Sequence, residues 1–104
     1  MIIEAKINPK DIAHLFDDVE DDYLKLMNKL VDEIVIELKK ATPVDTGYAA
    51  SRWSRDDIFK TLQDVVEIEN DAEYINRLND GYSQQAPAYF VEQTVFRLTG
   101  TLPK

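Results

Sequence analysis

Apolar residues in the N-terminal half of the chain recur with helical spacing. From Ile12 they run through Leu15, Phe16, Val19, Tyr23, Leu26, Met27, Leu30, Ile34 and Leu38, which predicts a long amphipathic helix with this stripe turned inward. Asn8 as N-cap, Pro9 in the first helical position and Asp11 near the free amides mark its start. Lys39 and Lys40 suit its negative end, and Thr42-Pro43 stops it, because the residue before a proline is pushed out of the α region. The opposite face carries Asp17, Asp18, Asp21, Lys25, Asn28, Lys29 and Asp32 and is expected to meet water. Val31, Val35 and Ile36 fall outside the stripe and make the last turns apolar nearly all round. A second cover is needed there: the sheet and last helix of the same chain, or a neighbouring subunit.

The remaining pattern is shorter-ranged. Ile3, Ala5 and Ile7 alternate with Glu4 and Lys6, the period-two signature of a strand, here placed at a sheet edge. Residues 44–47 read as a turn, residues 49–54 around Trp53 as a strand, and residues 55–57 as a charged turn. Val65 to Asn70 alternates and is β-branched, so it is the clearest strand, with residues 58–62 leading into it and Asn70-Asp71 closing it. Tyr74, Ile75 and Leu78 predict a short helix within residues 72–79, ended by Asp80-Gly81. A polar loop at residues 82–87 precedes a final helix over residues 88–98, with Phe90, Val91, Thr94, Val95 and Leu98 inward and Gly100 after its end.

Composition narrows what such a chain can do. Its 104 residues fit a single domain, 1–104, since dividing a core of this size would leave two unstable halves. No stretch approaches the ~20 apolar residues that span a bilayer, and the first residues show no secretory signal, so a soluble product of the cytoplasm with no membrane partner is expected. The absence of cysteine excludes disulfides and thiolate chemistry. A net charge of −8 repels phosphates over the whole surface, which argues against a grip on DNA but suits a wall that DNA slides past.

Candidate chemistry is thin. The carboxylates of residues 17–22 would be spread around a helix axis and lack a glycine-centred calcium loop. His14 has no serine beside it, Asp56-Asp57 form no evident acid–base pair, and Glu67 and Glu69 share one exposed strand face. Gly47, Gly81 and Gly100 stand alone in turns, so no phosphate-cradling loop is present. Trp53, flanked by Arg52 and Arg55, reads as a core or interface anchor rather than a nucleic-acid platform at this charge. The expectation is a protein that is not an enzyme and holds no cofactor or metal.

Two ordered segments carry a family resemblance. Ala41-Thr42-Pro43-Val44-Asp45-Thr46-Gly47, then Ala50-Ser51-Arg52-Trp53, follows the long helix. Ile68-Glu69-Asn70-Asp71-Ala72-Glu73-Tyr74 and Leu78-Asn79-Asp80-Gly81-Tyr82-Ser83-Gln84-Gln85-Ala86-Pro87 precede the closing helix with Phe90 and Val91. In order and spacing they resemble the tail-completion and neck proteins of lambda-like and related long-tailed phages. The resemblance implies an α+β fold, a long N-terminal helix and a C-terminal helix packed on a small, mostly antiparallel sheet. It also implies a structural virion protein of the neck or tail, made in the host cytoplasm, that forms a ring of its own copies and meets connector, stopper and tail-tube proteins, with DNA only as passing cargo. A small acidic regulator of a host or phage protein is the alternative. Pro43, Asp45, Thr46 and Gly47 would then build the family turn. Val31, Val35, Ile36, Trp53, Ser83, Gln84, Gln85, Ala86 and Pro87 are candidates for the subunit interface, and Asp17, Asp21 and Asp22 for an acidic lumen.

Overall fold

Apolar side chains alternate along three strands, and one face of the sheet they form is buried. In a computed structural model of the chain, which describes residues 1–7, 20–43, 47–81 and 88–100, the strands are β1 (Ile2–Lys6), β2 (Trp53–Arg55) and β3 (Val65–Asn70). Their order is β1-β3-β2, with both outer strands antiparallel to β3. The register sets Ile3 opposite Ile68, Ala5 opposite Val66 and Trp53 opposite Asn70. Because strand side chains alternate faces, Ile3, Val66, Ile68 and Trp53 share the inner face, while Ile2, Glu4, Lys6, Val65 and Glu69 point outward. Met1 and Asn70 extend the ladder by exchanging backbone hydrogen bonds of 2.9 Å each.

Among the described residues four helices accompany the sheet: α1 (Glu20–Ala41), α2 (Tyr48–Ser51), α3 (Ile75–Asn79) and α4 (Phe90–Thr99). Leu24, Val31, Ile34 and Leu38 of α1 join Phe90, Val91 and Val95 of α4 and the inner sheet face in one core, with Phe59, Ala72 and Ile75. Burying each large aliphatic side chain contributes roughly 1.5–3 kcal/mol before the cost of ordering it. The result is an α+β fold with a long and a C-terminal helix on a small antiparallel sheet.

Helix ends follow local chemistry. α1 stops at Ala41, where the Thr42 hydroxyl donates to the Leu38 carbonyl at 2.6 Å and Pro43 follows. Gly100 ends α4 in the left-handed conformation (φ 77°) that glycine alone adopts without strain, its N–H on the Phe96 carbonyl. The predicted start of the long helix at Asn8 and Pro9 lies outside the described residues.

Three local features differ from the pattern. Leu26 was expected inward but is 61% exposed; the core-facing line runs through Leu24, Val31 and Leu38, and Leu26 lies about 200° around the axis from Leu24. Residues 49–54 do not form one strand: a left-handed Gly47 (φ 72°) starts the single turn α2, and only Trp53–Arg55 is extended. Asn28 is not left to water either. Its side-chain amide brackets the backbone of Phe59, accepting its N–H (2.7 Å) and donating to its carbonyl (3.0 Å). Arg55 donates to Asn28 Oδ1 (2.8 Å) and Asp32 Oδ1 (2.8 Å), fastening the chain after β2 to α1.

Candidate functional site

The two motif segments converge on buried polar side chains that hold the bases of two loops. Asn70 closes β3 and is 1% exposed. Its Nδ2 donates to the Ala49 carbonyl of α2 (2.8 Å) and its Oδ1 accepts the Ala72 N–H (2.9 Å), so one side chain joins the sheet, α2 and the approach to α3. Trp53, also 1% exposed, donates its indole N–H to Thr42 Oγ1 (2.7 Å), which in turn donates to Leu38. The described residues on either side of positions 44–46 are thereby tied together: Thr42 before them to Trp53 after them. Pro43 is buried and Gly47 is left-handed; Asp45 and Thr46 lie outside the described residues.

The second base is built around Asn79, 4% exposed. Its Oδ1 caps α4 by accepting the Val91 N–H at 2.9 Å. Its Nδ2 donates to both carboxylate oxygens of Glu92, at 3.0 and 2.8 Å. Its carbonyl accepts the Tyr89 N–H at 2.5 Å. Tyr89 makes this bond from a left-handed conformation (φ 61°), which costs a non-glycine residue roughly 1–2 kcal/mol and persists only because its surroundings determine it. Gly81 (φ 97°) would bring a Cβ within 3.1 Å of the Ala88 Cβ, so the chain leaving α3 and the chain entering α4 touch. The loop of residues 82–87, including Ser83, Gln84, Gln85, Ala86 and Pro87, lies outside the described residues, but both its ends are clamped.

Beside the first base sits an aromatic and charged surface. The Tyr48 and Tyr74 rings lie 6.4 Å apart, and the Arg52 guanidinium is 5.9 Å from the Tyr48 ring centre. Arg52 also grips Asp71 with two hydrogen bonds of 2.6 and 2.5 Å. The guanidinium holds the Asp71 carboxyl below the usual carboxylate range, and Asp71 raises the Arg52 pKa in return. Both side chains are exposed, so the pair adds little to stability.

The interface and lumen candidates separate by position. Val31 and Trp53 are 1% exposed and covered within the chain, so their apolar surface needs no neighbour; Val35 is half-buried and Ile36 is 51% exposed. Asp21 and Asp22 are exposed in the first turn of α1, whereas Asp17 and His14 lie outside the described residues. Asp56 and Asp57 serve the backbone, accepting the N–H groups of Glu67 and Ile58 at 2.8 Å each. Among the described residues no group of three or more His, Asp or Glu side chains is placed to hold a metal ion, and no helix is long and apolar enough to cross a membrane.

Asn28, expected to meet water, is half-buried on Phe59, and the buried roles of Asn70 and Asn79, with Glu92 as partner, were not part of the pattern. Asparagine looks like solvent or turn in a hydropathy pattern, and its burial depends on partners far along the chain. The available signal was the placing of Asn70 and Asn79 inside the two motifs.

A family model described as "Bacteriophage HK97-gp10, putative tail-component" matches residues 9–92. The chain belongs to the HK97-gp10-like family. The match spans both motif segments and both clamped bases, and the family is one of phage tail components. Comparison with curated proteins and with solved structures gives no match to either.

Proposed function

We propose that this member of the HK97-gp10-like family is a structural subunit of the phage neck or tail, a tail-completion or head-tail joining protein that works as a closed ring of its own copies. The observation that carries the reading is the family match over residues 9–92, whose second motif coincides with the Asn79 clamp. Buried hydrogen bonds on both described sides of residues 82–87 give a rigid base, which suits docking rather than catalysis. Ring closure needs two different patches that meet head to tail. Ser83 to Pro87 supplies the first and the exposed Ile36 side of α1 the second, with Val31, Val35 and Trp53 giving the scaffold its stiffness. Connector, stopper and tail-tube proteins would lie above and below the ring. DNA would pass through the hole, and Asp17, Asp21 and Asp22 would keep it mobile by offering it no cation.

The test is a phage carrying Gln84→Ala and Gln85→Ala together. The purified variant chain should fold as the parent does, while particles assembled with it contain heads and tails that fail to join. Detection of the parent protein in purified virions should accompany this. Normal joining by the variant, or absence of the parent protein from virions, defeats the proposal.

A further inference from the structure

The outer face of α1 bears a line of exposed residues at alternating four- and three-residue steps: Asp22, Leu26, Lys29, Glu33, Ile36 and Lys40. This spacing keeps side chains on one seam of a helix, as in paired helices. Leu26 and Ile36, 61% and 51% exposed, are the two apolar members of this line. The line also reads as its own complement when reversed about the point midway between Lys29 and Glu33.

We propose that two copies of this chain pair antiparallel through this face of α1, about a two-fold axis at that midpoint. Lys29 then faces the partner's Glu33, Leu26 faces the partner's Ile36, and Asp22 faces the partner's Lys40. Each contact occurs twice, as an isologous interface requires. Two layers are apolar and four join opposite charges. Antiparallel helices also set opposite dipole ends side by side, the acidic first turn of one near the basic last turn of the other. Asp32, beside the axis, is already paired with Arg55 at 2.8 Å, which offsets its charge against its symmetry mate. Lys25 and Lys39 lie on the rim, where water and salt screen them. With so little apolar area, the dissociation constant should be weak, on the order of 10–100 μM.

This contact closes at two copies and covers Ile36 and Asp22, which the ring reading uses, so a subunit paired this way is not at the same time in the ring; its central pair, Lys29 and Glu33, belongs to the pairing alone. Sedimentation equilibrium of the full chain from about 5 μM to 1 mM tests it. The parent should pass from monomer to dimer. Lys29→Glu and Glu33→Lys should each weaken pairing by ~10-fold or more, by setting like charges opposite each other twice. An equimolar mixture of the two variants should restore it to within ~3-fold of the parent, because the reversed charges then complement each other. Unaltered circular dichroism of both variants shows that α1 is intact. A strictly monomeric parent, a larger parent oligomer unmoved by either reversal, or a mixture no tighter than the single variants would each overturn the proposal. None of these bears on virion incorporation, which tests the ring reading separately.

Discussion

At the scale of single residues, the determining side chains are amides. A buried asparagine must satisfy two donors and an acceptor, and a lost partner leaves the other group unpaired in a medium that does not solvate it. Asn79 places all of these on partners 12 and 13 residues away. Replacing it by alanine strands the Glu92 carboxylate and the Val91 N–H together. Asn79→Ala should therefore lose about 2–4 kcal/mol of unfolding free energy, read from denaturant titration. A loss below ~0.5 kcal/mol would mean that the clamp is not formed. Trp53 is different in kind, since most of its contribution is apolar area and its hydrogen bond to Thr42 mainly fixes its direction.

At the scale of elements, the connection into β3 shows how a turn is made from one carboxylate. Asp64 Oδ2 accepts the N–H groups of Lys60 at 2.7 Å and Thr61 at 2.9 Å. The Lys60 amide first, then the Thr61 amide, hold the Asp64 carboxyl below its ordinary value. A carboxyl whose folded pKa is depressed stabilises the fold above its unfolded pKa and loses that contribution as pH falls through the folded one. The window therefore lies below about pH 4. Asp64→Asn should be less stable than the parent at pH 7, with the gap closing as pH falls toward 2, as followed by thermal denaturation across that range. A gap constant with pH would show that the charge of Asp64 is not what stabilises the turn.

Elements whose stabilising contacts are local or periodic were legible in the sequence. β3 matches its β-branched alternation over Val65–Asn70, and α4 buries Phe90, Val91, Thr94 and Val95 as their spacing requires. The stop of α1 followed from Thr42-Pro43. What was not legible depends on contacts between distant segments. Leu26 has the right hydropathy to be inward, yet the rotation of α1 is set by which line best fits the sheet and α4. α2 looked like strand because Trp53 is a strong strand former; the Ala49-Ala50 turn before it is held by Asn70, reached only after 21 further residues. Of the candidate site, the left-handed Gly47 and Gly81 were visible as turn positions, but the amides beside them were not, because hydropathy treats a paired and an unpaired asparagine alike.

At the scale of the whole molecule, charge is the dominant property. A chain at −8 repels its own copies as well as DNA, so any assembly must offset that repulsion with specific contacts or with partners of opposite charge. If acidic side chains line a channel, converting Asp17, Asp21 and Asp22 to lysine should leave particle assembly intact and slow DNA delivery, measured as ejection rate from purified particles. Unchanged delivery would remove the lumen from the account. The clamp at Asn79 has a different consequence at this scale. The hydrogen bond from Tyr89 to Asn79 and the closeness of Gly81 to Ala88 hold together the two described ends on either side of residues 82–87. If residues 82–87 are the docking segment proposed above, exchanging their sequence would redirect what the subunit meets while the Asn79 clamp keeps its own hydrogen bonds, so a phage could change a tail contact without redesigning the subunit.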